Sequence, residues 1–340
     1  TIKLDGNYPT GTGNVALGDT ALDSVEAGGA RNTAIGDHAL TTLTTSDDNT
    51  AVGSCAMELN TSGSLNTALG SYAMGSNTSA ASNTGIGYSA LFNTTTGCCN
   101  TALGRSAIQR NITGDNNVGI GVMALDHNTE GDNNTAVGAN ALTTNTTADS
   151  NVAVGFCSLN ANTTGAENVA VGRQALDTNT TGGDNTAVGD QALFANTTAS
   201  NNTAIGKDAL GVNTTGANNT AVGRNSLDAN TEGQKNVAIG QSALSANTTA
   251  SDNTAVGNSA LTSNNTGCQN SAVGQAALAA NTNGCFNTAV GHNALNANTT
   301  ADRNTGIGHS ALLANTTGCC NTALGQGTMA ANTEGDNNVA

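Results

Sequence analysis

The side chains best able to carry covalent or metal chemistry in this chain are its eight cysteines and four histidines. Cys98, Cys268, Cys285 and Cys319 share one phase of a 17-residue spacing, Cys99 and Cys320 share the next, and Cys55 and Cys157 share a third. Cys268 and Cys285 are one period apart. Stacked coils of that period would hold them about 4.8 Å apart, a separation that a disulfide accepts. The neighbouring pairs Cys98-Cys99 and Cys319-Cys320 resemble the paired cysteines by which three parallel chains can be cross-linked in a ring. Interchain bridges, intrachain bridges and free thiols all stand as readings of these six residues. No Cys-x-x-Cys pair or Cys/His cluster has zinc spacing, so no metal is expected. His292 and His309 also share a phase one coil apart, and in a trimer six imidazoles would gather at one level. That phase is otherwise polar and variable, the pattern of a solvated surface.

A second chemistry is glycan attachment. Asn-x-Ser/Thr triplets occur at Asn60, Asn77, Asn111, Asn145, Asn162, Asn179, Asn196, Asn213, Asn247, Asn264, Asn298 and Asn315, all at one phase, with Asn93 one residue out of step. Glycosylation machinery would find these as a column of acceptors on an exposed turn; without it they are turn residues. The same phase carries Asn without a triplet at Asn128, Asn230, Asn281 and Asn332. No catalytic constellation emerges. Carboxylates are scattered, no histidine has a nucleophile fixed by motif, and Gly85-Ile86-Gly87, Gly119-Ile120-Gly121 and Gly306-Ile307-Gly308 are variants of the repeat rather than nucleotide loops. Neither enzymatic activity nor a cofactor is expected.

The element that must position all of these is the repeat itself. Asn32-Thr33-Ala34-Ile35-Gly36 returns every 17 residues without a slip, and a fixed period of this kind marks a stacked array. Numbered from its asparagine, the consensus is Asn-Thr-Ala-Val-Gly-x-x-Ala-Leu-x-x-Asn-Thr-Thr-Gly-x-x. Position 1 is Asn in all 20 copies from Asn14 to Asn338, and position 5 is Gly in all 19. Position 3 is Ala or Gly, position 4 is Val, Ile or Leu, and from Asn32 onward charges collect at positions 6, 7, 10, 11, 14, 16 and 17. Asn, Thr, Gly and Val are poor helix formers, and 17 residues are too few for two helices with turns. Period-two alternation suits short extended segments over positions 1 to 4 and roughly 7 to 10, with turn chemistry at position 5 and positions 13 to 15. The expected fold is all-β: a parallel β-solenoid, or β-roll, of about 19 coils. Residues 1–13 form an irregular lead-in and residues 14–340 one continuous array. Asn338-Val339-Ala340 opens a further copy, so the array is expected to run on. At about 4.8 Å per coil, nineteen coils reach roughly 90 Å. Position 1 is the best candidate for an Asn ladder along the stack, against the plainer reading of an Asn that tolerates a left-handed turn.

Composition limits the partners. Nine Lys and Arg against 24 Asp and Glu give a formal charge of −15, which repels phosphate backbones, so nucleic acid is not an expected partner. No apolar run is long enough to span a bilayer. Aromatics make up only 2% of residues, too few for a large globular core, whereas many thin identical layers remain possible. Adjacent positions 3 and 4 are both uncharged, one always small and the other always branched or Leu. Both faces of that strand are therefore expected to be buried, with the small residues lying against another copy of the chain.

The Asn-Thr-Ala-Val-Gly core resembles the Asn-Ser-Val-Ala-Ile-Gly repeats in the heads of trimeric autotransporter adhesins. The longer unit, as in Asn185 to Asn201, is similar to arrays in phage tail-fibre-like and bacterial surface proteins. The resemblance implies a homotrimeric fibre, extracellular or on a cell or virion surface, in which chains associate side by side or build a longer filament. It covers nearly the whole chain from Asn14, although 17 residues exceed the shorter adhesin repeat. The leading expectation is a structural shaft, a stiff spacer or filament. The alternative is an adhesin that binds a glycan or surface receptor along positions 6, 7, 10 and 11. Third comes ice binding through ranked threonines at positions 13 and 14, a rank interrupted by Glu130, Glu232, Asn283 and Glu334.

Overall fold

The computed structural model describes residues 11–26 and 28–340, so most of the expected lead-in over residues 1–13 lies outside the described residues. The chain divides into two units, Thr1–Asn168 and Val169–Ala340. The first carries nine three-residue strands, from β1 (Val15–Leu17) to β9 (Val152–Val154), and the second ten, from β10 (Val169–Val171) to β19 (Thr322–Leu324). Within each unit every strand pairs in parallel with the next, in register with the residue one repeat on: Thr50 with Thr67 and Ala51 with Ala68 in the first, Thr186 with Thr203 and Ala187 with Ala204 in the second. Each repeat is one coil of a parallel β-solenoid, and among the described residues there is no helix.

The strands cover only positions 2 to 4. Positions 7 to 10, expected to be extended, are instead a run of turns. The position-8 N–H donates to the position-5 carbonyl, as Ala56 does to Gly53, and the position-12 N–H donates to the position-9 carbonyl, as Asn60 does to Met57. Positions 7 and 9 take left-handed angles, φ 57° at Cys55 and 50° at Met57. A strand would send adjacent residues to opposite faces, yet Ala39 and Leu40, and their counterparts through Ala311 and Leu312, are both fully buried. Left-handed angles at position 7 and at the position-9 residue itself, φ 55° at His38 and 51° at Leu40, turn both inward, at a cost of about 1–2 kcal/mol per residue. Burying the Leu side chain returns about as much or more.

The position-5 glycine is fixed by two constraints at once. Its φ lies between 127° and 150° throughout, and a Cβ on Gly36 would stand 2.5 Å from the carbonyl oxygen of Gly53 in the next coil. The coil interior is thin: Ala at positions 3 and 8, Leu or Met at 9, a small residue at 15, and two columns of asparagine. In the first column the Asn49 backbone N–H donates to Oδ1 of Asn32 at 3.0 Å, Asn66 does the same to Asn49, and each Nδ2 donates to the position-15 carbonyl. The ladder expected at position 1 is therefore present.

A second ladder runs along position 12, where Asn128 Nδ2 donates to Asn111 Oδ1 at 2.9 Å and Asn145 Nδ2 to Asn128 Oδ1 at 2.8 Å. Thr94 interrupts it: this residue is fully buried and its Oγ1 has no partner. Thr94→Asn would rejoin Asn77 to Asn111 and remove an unsatisfied buried hydroxyl, worth about 1 kcal/mol or more. The variant is expected to melt at a higher temperature than the parent in a thermal scan, and an unchanged or lower midpoint would count against the ladder as a stabilising element.

Candidate functional site

Because position 3 points into the coil, positions 2 and 4 point out together. Ala34, Ala51 and Ala68 are wholly buried, whereas Leu69 is 48% exposed, Val171 36% and Ile205 40%. The expectation that the small residues face another chain is thus inverted. Ala must be small because the chain's own interior is narrow, and it is the branched residues that lie outside. The result, in each unit, is a parallel sheet face of Thr, Val or Ser at position 2 and Val, Ile or Leu at position 4, free of charge from Thr33 onward. One coil adds little apolar surface, but repetition lines the position-4 side chains up as a continuous exposed stripe along each unit, and contiguous apolar patches mark interaction surfaces.

The asparagines expected as glycan acceptors are not on an exposed turn. Asn60, Asn77, Asn111, Asn145, Asn162, Asn179, Asn196, Asn213, Asn247, Asn264, Asn298 and Asn315 are all fully buried. The Nδ2 that would carry a sugar faces inward: Asn60 Nδ2 donates to the Gly63 carbonyl, Asn247 Nδ2 to Asn230 Oδ1 and the Ala250 carbonyl. A glycan on that nitrogen cannot coexist with the folded coil. Asn93, at position 11, is half-buried and lies outside the ladder. The position-13 threonines are exposed or half-buried, and their hydroxyls donate to the next coil's carbonyl, as Thr61 does to Thr78 at 3.0 Å.

All eight cysteines are free thiols. Cys268 and Cys285 are brought together, with Sγ atoms 3.1 Å apart. Cys98 and Cys319 instead each face an aspartate of the following coil, their N–H groups donating to Asp115 and Asp336. Contact with the Cys99 thiol, burial and Asp115 push the Cys98 thiol up to about 11, whereas Cys99 and Cys320 are exposed at the surface. His292 and His309 stack with ring centroids 5.2 Å apart, both exposed. Among the described residues no three His, Cys, Asp or Glu side chains are arranged to hold a metal ion, and no helix is long and apolar enough to cross a membrane.

One cluster escaped sequence inspection. Tyr72, Tyr88 and Phe92 come from consecutive coils and meet edge to face, 6.1 and 6.3 Å between centroids, with both tyrosines exposed. Gly75 makes room for it, because a Cβ there would lie 2.8 Å from the Phe92 ring. The signal was the concentration of three of the chain's seven Tyr and Phe residues in two coils. No protein-family model matches the chain, and comparison with curated proteins gives no match.

Asp126 is the one carboxylate named here that is deeply buried. Its Oδ1 has no partner, and Oδ2 lies 3.4 Å from His127 Nδ1. Burial raises its pKa above the ordinary carboxylate value, opposed by His127, Arg110 and Arg105. A raised folded-state value means that the folded chain binds this proton more tightly than the unfolded one. Asp126 therefore penalises folding at neutral pH, and the penalty fades as pH falls through that value. Asp126→Asn is expected to raise stability at pH 7 by on the order of 1 kcal/mol, with the two proteins converging toward about pH 4. Urea unfolding at the two pH values checks this, and a variant less stable at pH 7 would contradict it.

Proposed function

We propose that this chain is the repeat shaft of a homo-oligomeric fibre, a stiff spacer rather than an enzyme, in which the Thr/Val sheet face is the seam between copies. The observation that carries the reading is that face: uncharged, repeated in register, and lined by exposed Val, Ile and Leu side chains coil after coil. A second copy of the same chain matches it coil for coil, and within a unit a rotational axis parallel to the stack would bury the position-4 side chains together. The count of three comes from the resemblance to trimeric adhesin heads, as does the setting at a cell or virion surface. The remaining flanks carry the charge and keep the assembly soluble, with neighbouring opposite charges such as Arg173 and Asp190, 2.8 Å apart, adding little.

Sedimentation equilibrium on the purified chain is expected to give three times the chain mass. Val188→Asp with Ile205→Asp would place like charges in the seam while leaving the coil interior untouched, so the variant keeps its β-sheet circular dichroism and sediments as a monomer. A monomeric parent would overturn the seam. If that monomer also showed thermal hysteresis, the regular Thr/Val face would be an ice-binding surface instead.

A second reading, adhesion, has the Tyr72, Tyr88 and Phe92 cluster in its favour. Exposed rings on a polar flank offer apolar faces and hydroxyls to a sugar. Glycan-array binding that disappears in Tyr72→Ala/Tyr88→Ala would support it, and binding unaffected by that change would remove this cluster from the account.

A further inference from the structure

Several polar position-16 side chains share one geometry. They reach back along the stack toward the position-16 N–H of the preceding coil: Ser251 Oγ accepts from Gln234 at 3.0 Å, Asp302 Oδ1 from Cys285 at 2.7 Å, and Cys285 Sγ from Cys268 at 3.1 Å. Where two consecutive coils both carry cysteine, this alignment lays one thiol on the next. That happens once, at Cys268 and Cys285, whose sulfurs are 3.1 Å apart. The gap is only about 1 Å longer than a disulfide bond, a distance closed by small side-chain rotations.

We propose that Cys268 and Cys285 are a disulfide-forming site, an axial staple that joins two consecutive coils within one chain when a small-molecule disulfide such as oxidised glutathione is present. One cysteine thiolate attacks a glutathione sulfur and expels the other glutathione as thiolate, leaving a mixed disulfide. The second cysteine thiolate then attacks the protein sulfur of that bond and expels the remaining glutathione. The two cysteines together lose two protons and two electrons, and one oxidised glutathione becomes two reduced molecules. Contact with the Cys285 thiol, burial and the charge on Cys285 raise the Cys268 thiol above its ordinary value, so closure accelerates as pH rises.

The test is a peptide map of the whole chain under non-reducing conditions after equilibration in oxidised glutathione and alkylation of the remaining thiols. The expected result is a single linked species containing Cys268 and Cys285, lighter by two hydrogens, with loss of alkylation at both. Cys285→Ser is the control, because Ser251 shows that serine at this phase keeps the coil-to-coil hydrogen bond. In that variant Cys268 should be recovered only as free thiol or as its mixed disulfide with glutathione, never in a protein–protein link, with an unchanged circular dichroism spectrum. Full alkylation of both cysteines in the folded parent would overturn the proposal. So would a link from Cys268 to a second chain, found by mixing isotopically light and heavy protein.

Discussion

Everything in this molecule depends on a hydrogen bond parallel to the stack: the position-1 backbone N–H of each coil donating to the side-chain Oδ1 of the asparagine one coil before. At this corner the strand has not begun, so sheet pairing cannot satisfy the amide, and an unpaired buried N–H would cost about 1–3 kcal/mol. Asparagine supplies both halves of the solution. Its oxygen accepts the neighbour's amide, and its Nδ2 donates to the position-15 carbonyl where the chain closes the coil. Aspartate would offer the oxygen without the donor, and glutamine would be too long for a corner this tight. The bond also sets register, since it forms only when corresponding residues stack.

From that register the other constraints follow. Coils close enough for an Asn ladder bring the position-5 backbones so near that only glycine fits, and they shrink the interior until position 3 can be nothing larger than alanine. A narrow interior has too little apolar volume to stabilise a chain of this length by itself. Repetition compensates, because each coil is buried by two neighbours and the energetics become a sum over nearest-neighbour interfaces. The outward Val, Ile and Leu at position 4 are what this arrangement leaves over, and in the present account they become the surface through which chains associate.

Much of the fold was legible in the sequence, for physical reasons. Gly36 and its counterparts, Asn32 and its counterparts, and the period all report backbone demands that admit one residue type. Positions 7 to 10 were not legible as turns, because nothing marks a leucine such as Leu142, at φ 52°, as left-handed when glycine or asparagine is the usual occupant. The clue was the adjacency of Ala141 and Leu142, both apolar, which no half-buried strand allows. Positions 3 and 4 are inverted for the same reason, since only the closed coil shows that Ala34 faces the interior and Ile35 the outside. Asn-Thr-Thr-Gly has the composition of a surface turn, and the twelve position-12 asparagines were assigned to the surface on that ground. Only the closed coil shows that Asn213 faces inward, with its amide nitrogen shared between Asn196 Oδ1 and the Gly216 carbonyl. Tyr72, Tyr88 and Phe92 were beyond reach for a different reason, since their contact depends on side-chain directions across two coils.

The central claim is that side-chain acceptors protect the position-1 amides as firmly as sheet pairing protects the strands. Residue-resolved amide hydrogen exchange tests it directly. The N–H groups of Asn66, Asn117 and Asn253 are expected to exchange as slowly as those of their strand neighbours Thr67, Val118 and Thr254. Exchange at the rate of exposed turn residues, while the strand amides stay protected, would contradict it.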